Sequence, residues 1–238
     1  MKPKESGGIR IRLYELIVIL PLCCPALAWA HNLVSAQRDC DSPLIAAIHK
    51  RDLRGIRKIM DSGTDLNVKT CGEGETALTE SIAEGFPEVA KQLVIAGANP
   101  NVADNRGVSP LMFAAWYCME EVVSLLLRRG AVVNAADLDG DTALMHAASQ
   151  CTNGKIVGIL LEYGAAVNVI DYDGESALTI AAFNGDERAV KELVAAGADL
   201  NVRTGEGETA LTIARDRQIG RKKSHDRIYA FLRGLTNH

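Results

Sequence analysis

The sequence predicts an all-α fold, a solenoid of about six stacked helix-turn-helix units joined by loop or β-turn fingers. Two motifs that share one period predict it. The first has Ser or Thr first and Leu third, and it recurs every 33 or 34 residues, beginning at Ser42, Thr76, Ser109, Thr142, Ser176 and Thr209. The second has Gly first and Asn fifth, and it begins at Gly63, Gly97, Gly130, Gly164 and Gly197. A period kept this long indicates one structural unit stacked on itself.

Each unit contains a first helix, a turn, a second helix and a loop. The Ser or Thr caps the first helix, because its hydroxyl accepts a hydrogen bond from an otherwise unpaired backbone N–H. Proline at the next position, as in Pro43 and Pro110, costs no hydrogen bond at the first helical residue. Pairs of alanine allow neighbouring first helices to approach closely, and larger apolar residues mark the second helix. The glycine of the second motif ends that helix, where a left-handed residue is needed.

The two motifs resemble the ankyrin repeat family, whose pattern is T-P-L-H-x-A followed later by G-A-x-x-N. The resemblance covers roughly residues 41–235 and implies an ankyrin repeat domain over 41–238, with units near 41–70, 71–103, 104–136, 137–170, 171–203 and 204–238. The His of the family pattern is replaced here by Ile45, Thr79, Met112, Met145, Thr179 and Thr212. We therefore expect the local hydrogen bonds of that His to be missing.

The first 30 residues have the three parts of a secretory signal peptide. A basic start precedes the apolar stretch 16–30, which ends in Ala28-Trp29-Ala30, a cleavage site before His31. Residues 31–40 then form a short N-terminal segment. We expect export, with the periplasm as the favoured compartment; secretion, or an uncleaved leader that anchors the chain to the inner membrane, are the alternatives. Cleavage removes four of 26 Lys+Arg and two of 30 Asp+Glu, which leaves 22 against 28 and a net charge of −6.

Composition and motif spacing disfavour several functions. The chain is 47% hydrophobic and 24% charged, as a globular protein is, and its net charge of −4 disfavours nucleic-acid binding. The five histidines are scattered, and none lies at metal-ligand spacing from a cysteine. The two Gly-Glu-Gly-Glu loops lack the lysine of a phosphate-binding loop. We therefore predict no enzyme activity, no cofactor and no metal, and we interpret His146 as a helix residue packed against its neighbours.

The resemblance implies a concave binding surface made of loop tips and the exposed ends of first helices. Carried over by position, the candidate partner-binding residues are Arg106, Trp116, Tyr117, Leu138, Asp139, Asp141, Tyr172, Asp173, Glu175, Phe183 and Asn184. Carboxylates dominate the loop positions, and aromatic residues surrounded by charge are typical of binding hot spots. We expect a monomer, not inserted in a membrane after leader cleavage, that binds another protein through that protein's basic patch.

The resemblance also suggests a role, which is to support a periplasmic stress enzyme. Two other roles stay open. One is that of an immunity protein or inhibitor that plugs a periplasm-targeted toxin, and the other is that of a secreted effector directed at a host.

Four cysteines follow the leader. Cys118 and Cys151 each lie nine residues after a cap residue, and equivalent points on stacked helices are about 8–10 Å apart. A disulfide needs Cα atoms within about 7 Å, so we expect this pair to stay reduced, although a residue inserted near Asn153 could bend the turn inward. Cys40 and Cys71 lie on the same loop edge and are the candidate disulfide.

The leader predicts the first residue of the mature protein. Osmotic shock should release a chain that begins at His31, because the signal peptidase cuts after Ala30. N-terminal sequencing and intact mass of the released protein measure this. A chain that retains Met1 and sediments with the membranes would instead indicate an anchor.

Overall fold

A computed structural model of the chain describes residues 42–152, 154–217 and 223–236. All of them belong to one compact unit, Cys40–His238. The predicted signal peptide, the segment 31–40 and Cys40 lie outside the described residues. None of the described helices combines the length and the apolar character needed to cross a bilayer.

The described residues form twelve helices, which confirms the all-α solenoid. In chain order they are α1 Pro43–His49, α2 Leu53–Asp61, α3 Ala77–Ala83, α4 Pro87–Ile95, α5 Pro110–Trp116, α6 Glu120–Arg128, α7 Ala143–Gln150, α8 Lys155–Glu162, α9 Ala177–Asn184, α10 Glu187–Ala195, α11 Ala210–Arg217 and α12 Lys223–Thr236. The odd-numbered first helices pack side by side in one layer, and the second helices from α4 onward pack in another. The apolar core lies between these layers.

Alanines line the contacts between first helices, as the sequence predicts. Ala114, Ala147 and Ala181 are completely buried, and the absence of longer side chains allows the helices to lie close together. Large apolar side chains are buried on both helices of a unit, such as Leu78 and Leu144 on first helices and Leu93 and Leu126 on second helices, so they do not distinguish the second helix as the sequence predicts. Each fully buried leucine stabilises the fold by about 1.5–3 kcal/mol relative to an exposed one.

The predicted caps are present on the first helices. In α3 the Thr76 hydroxyl accepts a hydrogen bond from the backbone N–H of Thr79 at 3.3 Å. The expectation that local hydrogen bonds would be missing is wrong in the three units that carry threonine at this position. The Thr79 hydroxyl accepts from the Thr76 N–H at 2.7 Å and donates to the Thr76 carbonyl at 3.0 Å, and Thr179 and Thr212 do the same in their units. A hydroxyl can both donate and accept, so threonine makes these local bonds at the position where the family has histidine.

The asparagine of the second motif joins one unit to the next. The Asn101 amide oxygen accepts from the N–H of Val132 at 2.9 Å, while its amide nitrogen donates to the Gly130 carbonyl at 3.0 Å. Asn134 and Asn168 form the same two bonds with the units that follow them. One side chain thus satisfies two backbone groups of the next unit and sets the stacking register.

Cys118 and Cys151 form a disulfide, with their Cα atoms 5.6 Å apart. The expectation that this pair stays reduced is therefore wrong. The spacing of stacked helices, about 8–10 Å, does not set the distance between these two Cα atoms, because both cysteines lie in the turns that follow α5 and α7. Cys118 has a φ of 56°, like the left-handed glycines at the same position in other units, whereas Cys151 is extended, with φ −96° and ψ 104°. The inserted residue makes the second turn non-equivalent to the first and brings the two Cα atoms together.

The disulfide should stabilise the fold by constraining the unfolded chain. It joins residues 33 apart, and a loop of this size gives roughly 3–4 kcal/mol by loop entropy. Replacing both Cys118 and Cys151 with serine should lower the free energy of unfolding by about this amount in urea titrations. The same comparison in dithiothreitol is the control, because reduction removes the bond from the parent and should leave the two chains equally stable. Equal stability of the double variant and the oxidised parent would contradict the prediction.

Candidate partner-binding surface

Five loops project from the starts of the first helices and together form the finger row: residues 70–75, 104–108, 137–141, 171–175 and 204–208. An aspartate shapes each of the three central fingers from within. One carboxylate oxygen of Asp104 accepts the N–H groups of Arg106 at 2.9 Å and Val108 at 2.8 Å. Asp137 and Asp171 bind two N–H groups in the same way. The finger shape therefore follows from a local sequence pattern that repeats with the units.

Backbone hydrogen bonds tie the fingers to one another. One N–H of each finger donates to a carbonyl of the finger before it, at 2.8–3.1 Å: Asn105 to Glu73, Leu138 to Arg106, Tyr172 to Asp139 and Gly205 to Asp173. The fingers approach so closely that a Cβ on Gly140, whose φ is +85°, would lie 3.2 Å from the Cα of Asp171. The finger row is thus a connected surface held by backbone contacts.

The structure separates the acidic finger residues into two sets. The carboxylates at the finger tips are exposed: Glu73, Asp139, Asp173 and Glu206. The residues just before the helix caps are half-buried or buried: Glu75, Asp141, Glu175 and Glu208. The prediction that Asp141 lies on the binding surface is wrong, because only 3% of this residue is exposed. Its position next to the cap places it under the adjacent finger, beside Asp171.

Two of the apolar residues predicted to bind a partner are exposed to solvent on neighbouring fingers. Leu138 is 68% exposed and Tyr172 is 82% exposed, at equivalent positions one unit apart. The exposed Asp139 and Asp173 adjoin them in the chain. These four residues, termed the central tips, consist of an apolar pair and the two negatively charged residues beside it.

The other predicted aromatic residues are half-buried and contact neighbouring units. Trp116 meets the ring of His146 edge-on, with centroids 5.5 Å apart. Phe183 is covered by the guanidinium of Arg217, 3.2 Å from the ring centroid. Tyr117 packs against the core. These three aromatic residues lie at the edge of the surface. Because each ring contacts other residues of the chain, less of it is exposed to a partner than of the Tyr172 ring.

Two further predicted residues also make contacts within the chain. Asn184 donates to the Ala148 carbonyl at 3.3 Å. Arg106 contacts the buried Asp104 carboxylate at 2.9 Å and Glu73 at 3.7 Å, so its charge is largely balanced. Sequence reasoning missed Arg217 as the cover of Phe183. The sequence does contain a signal for this contact, because Arg217 lies 34 residues after Phe183 and therefore occupies the equivalent position in the next unit.

Carboxylates lie close together beneath the finger row. Burial raises the pKa of Glu75 to about 8, and repulsion from Glu80 adds to the shift. Burial likewise raises the pKa of Asp171 to about 6, with a further contribution from Asp141. Burial also acts to raise the pKa of Asp137, but His146 and backbone N–H groups outweigh it, so the pKa lies below its ordinary value.

Asp137, Asp141 and His146 also offer atoms that could hold a metal ion. Their ligand atoms lie within 4.8 Å of one another. Each has a role in the fold: Asp137 shapes its finger, Asp141 lies against Asp171, and the Nε2 of His146 lies 3.4 Å from Asp137. His146 occupies α7 and packs against its neighbours, as predicted.

Comparisons with known proteins agree with this architecture. A family model described as ankyrin repeats (3 copies) matches residues 43–137 and again 134–204. The chain is 37% identical over 75 residues to mouse protein phosphatase 1 regulatory subunit 12A, and 40% identical over 70 residues to human neurogenic locus notch homolog protein 4. These alignments cover 32% and 29% of this chain, but only 7% and 4% of the relatives.

A smaller relative is covered over most of its length. Zebrafish Notch-regulated ankyrin repeat-containing protein B is 33% identical over 86 residues, which are 35% of this chain and 78% of that protein.

The raised pKa of Glu75 makes stability depend on pH. The folded state favours the protonated acid, so this contribution is complete below about pH 4.5 and is lost as pH rises through about 8. In the Glu75→Gln variant the side chain stays uncharged at every pH. The substitution should raise the free energy of unfolding at pH 8.5 by on the order of 1–2 kcal/mol and change it little at pH 4.5. Urea titrations at the two pH values measure this, with the exposed Glu206→Gln as control. An effect of equal size at both would refute it.

Proposed function

Because the chain belongs to the ankyrin repeat family, whose repeats form protein–protein interaction modules, we propose that it is a non-catalytic binding protein that holds its partner on the finger row. The observation that carries this proposal is the pair of exposed apolar residues on adjacent fingers, Leu138 and Tyr172. Exposed apolar groups that adjoin one another and are surrounded by polar residues mark protein interaction sites. Tyrosine is enriched at binding hot spots, since it buries a large area at a small cost in side-chain entropy.

The partner presents a basic patch with an apolar residue at its centre. The tip carboxylates Glu73, Asp139, Asp173 and Glu206 give the row one dominant sign of charge, and Arg106 is already balanced by its acidic neighbours. Opposite charges at the border of an interface speed association and exclude acidic partners. The central tips then supply the contact that excludes water.

Binding takes place in an oxidising, extracytoplasmic compartment, and the periplasm suits the short leader. Two features support this location. Residues 1–30 have the pattern of a signal peptide. The Cys118–Cys151 disulfide, which the sequence analysis did not expect, is a bond that persists outside reducing cytosol. The relatives named above come from vertebrates, so this part of the proposal depends on the chain's own features.

The proposed role is stoichiometric support of an exported stress enzyme. A rigid stacked scaffold with a single connected row of finger contacts suits a lasting complex. The word "regulatory subunit" in the name of the mouse relative describes a chain that acts through another protein. Identification of the partner separates this role from immunity, because a toxin would be found in place of an enzyme.

The central tips predict where affinity resides. Once a pull-down with the mature chain and mass spectrometry identify the partner, Leu138→Ala with Tyr172→Ala should cost about 2–4 kcal/mol of binding free energy in calorimetry. The matched control is Ile95→Ala with Tyr163→Ala, an exposed aliphatic and an exposed tyrosine at the ends of second helices. Equal losses from the two pairs, with the fold retained, would place the partner elsewhere.

The tip charges predict how the partner approaches. Asp139→Lys with Asp173→Lys should slow association and weaken its dependence on salt, because both residues are exposed and attract a basic surface. Stopped-flow mixing at low and high ionic strength measures the rates. An association rate that the reversal leaves unchanged would contradict a basic partner.

A further inference from the structure

The two sulfur atoms of the Cys118–Cys151 disulfide differ in access. Cys118 is exposed, in the turn after α5, whereas Cys151 is only 4% exposed. Thiol–disulfide exchange requires a thiolate to reach one sulfur directly. An incoming thiol can therefore attack Cys118, while Cys151 is shielded by the packed units.

The backbone at Cys118 is one that side chains seldom adopt. Its φ is 56°, and the equivalent positions in three other units are Arg51, also at 56°, and the left-handed glycines Gly85 and Gly185. A residue with a Cβ is disfavoured in this conformation. Because Arg51 has this shape without a disulfide, reduction removes the covalent connection to the next unit and leaves the turn itself formed.

This turn directly follows two predicted partner-binding residues. Trp116 and Tyr117 immediately precede Cys118, and Trp116 contacts His146 of the next unit. The disulfide joins the same two units, since Cys151 ends the helix that contains His146. The bond and the aromatic contact thus hold one edge of the binding surface together.

We propose that the Cys118–Cys151 disulfide is a thiol–disulfide exchange site for a reduced dithiol oxidoreductase, and that reduction loosens the Trp116–Tyr117 edge of the partner-binding surface. The exchange itself is independent of any partner. Its effect on binding rests on the proposed function.

The exchange balances as a two-electron transfer. A thiolate of the oxidoreductase attacks Sγ of Cys118, the S–S bond breaks, and Cys151 leaves as a thiolate that takes up a proton. The second thiol of the oxidoreductase loses its proton and attacks its own sulfur in the mixed disulfide. Cys118 leaves and is protonated, so the oxidoreductase becomes the disulfide and this chain the dithiol.

The surroundings can accept both new thiols. Sγ of Cys151 lies 3.0 Å from the Ala115 carbonyl oxygen, and Sγ of Cys118 lies 3.8 Å from that of Trp116. Each S–H formed on reduction therefore has an acceptor close by. Reduction need not leave an unsatisfied buried group.

Trapping the mixed disulfide tests the direction of attack. The full chain, with its other four cysteines changed to serine, is incubated with a Cys-x-x-Cys oxidoreductase whose second cysteine is serine, and the adduct is mapped by mass spectrometry. Adducts at Cys118 should exceed those at Cys151 by at least roughly tenfold, because the incoming thiolate must reach the sulfur. Adducts chiefly at Cys151, or none, would overturn the proposal.

Trp116 fluorescence tests the effect on the surface. Of the two tryptophans, Trp29 lies in the leader, so a chain that begins at His31 has Trp116 as its reporter. Reduction by dithiothreitol should shift its emission to that of the Cys118→Ser, Cys151→Ser variant, with unchanged helical circular dichroism. An emission that reduction leaves unchanged would show that the bond does not hold this edge.

Partner binding separates the two proposals. The partner should dissociate faster from the reduced chain than from the oxidised chain. Equal dissociation rates would overturn the effect on binding and leave the proposed function intact. Failure of the oxidised chain to bind any partner, with Cys118 adducts still formed, would overturn the proposed function and leave the exchange site standing.

Discussion

The need of each unit for its neighbour underlies the rest of the structure. A pair of short helices buries too little apolar surface to remain folded alone, and leucines such as Leu93 and Leu126 are fully buried because adjoining units cover them. Apolar contact alone would tolerate sliding of one unit on the next. The paired hydrogen bonds of Asn101 and its equivalents prevent this, because a shifted unit would leave backbone groups unsatisfied. Stacking thus supplies the stability, and the asparagines supply the register.

That register has an electrostatic consequence. Stacking places the fingers within backbone hydrogen-bond distance, and the acids at their bases then lie against one another, as Asp141 does against Asp171. Burial disfavours the charged form of these carboxylates and the neighbouring acids add to the effect, so the pKa values of Asp171 and Glu75 are raised. The same stacking leaves the tip residues pointing into solvent. A single geometric constraint therefore produces both the buried acids that oppose stability at high pH and the exposed acids available to a partner.

Features that repeat could be predicted from the sequence, and features that depend on contacts between units could not. The caps, the glycine ends and the finger row follow from local patterns that recur along the chain. The burial of Asp141 escaped prediction because its local sequence resembles that of an exposed loop, and only the neighbouring finger covers it. The Cys118–Cys151 bond escaped because an inserted residue changes one turn, so that equal distance from the cap no longer means an equivalent position. Threonine at position 79 was misjudged for a different reason, since its hydroxyl makes the local bonds without a histidine ring.

Three departures from the repeat lie in the two middle units. The disulfide, the lengthened turn before Gly154 and the Trp116–His146 contact all lie there. Leu138 lies in the same units, and Tyr172 lies on the finger that follows. Stacking needs only the shared pattern, so it explains none of these residues. A partner that binds one part of a repeating surface must instead be recognised by what does not repeat, and this is why the middle of the solenoid, and not its ends, is where specificity should reside.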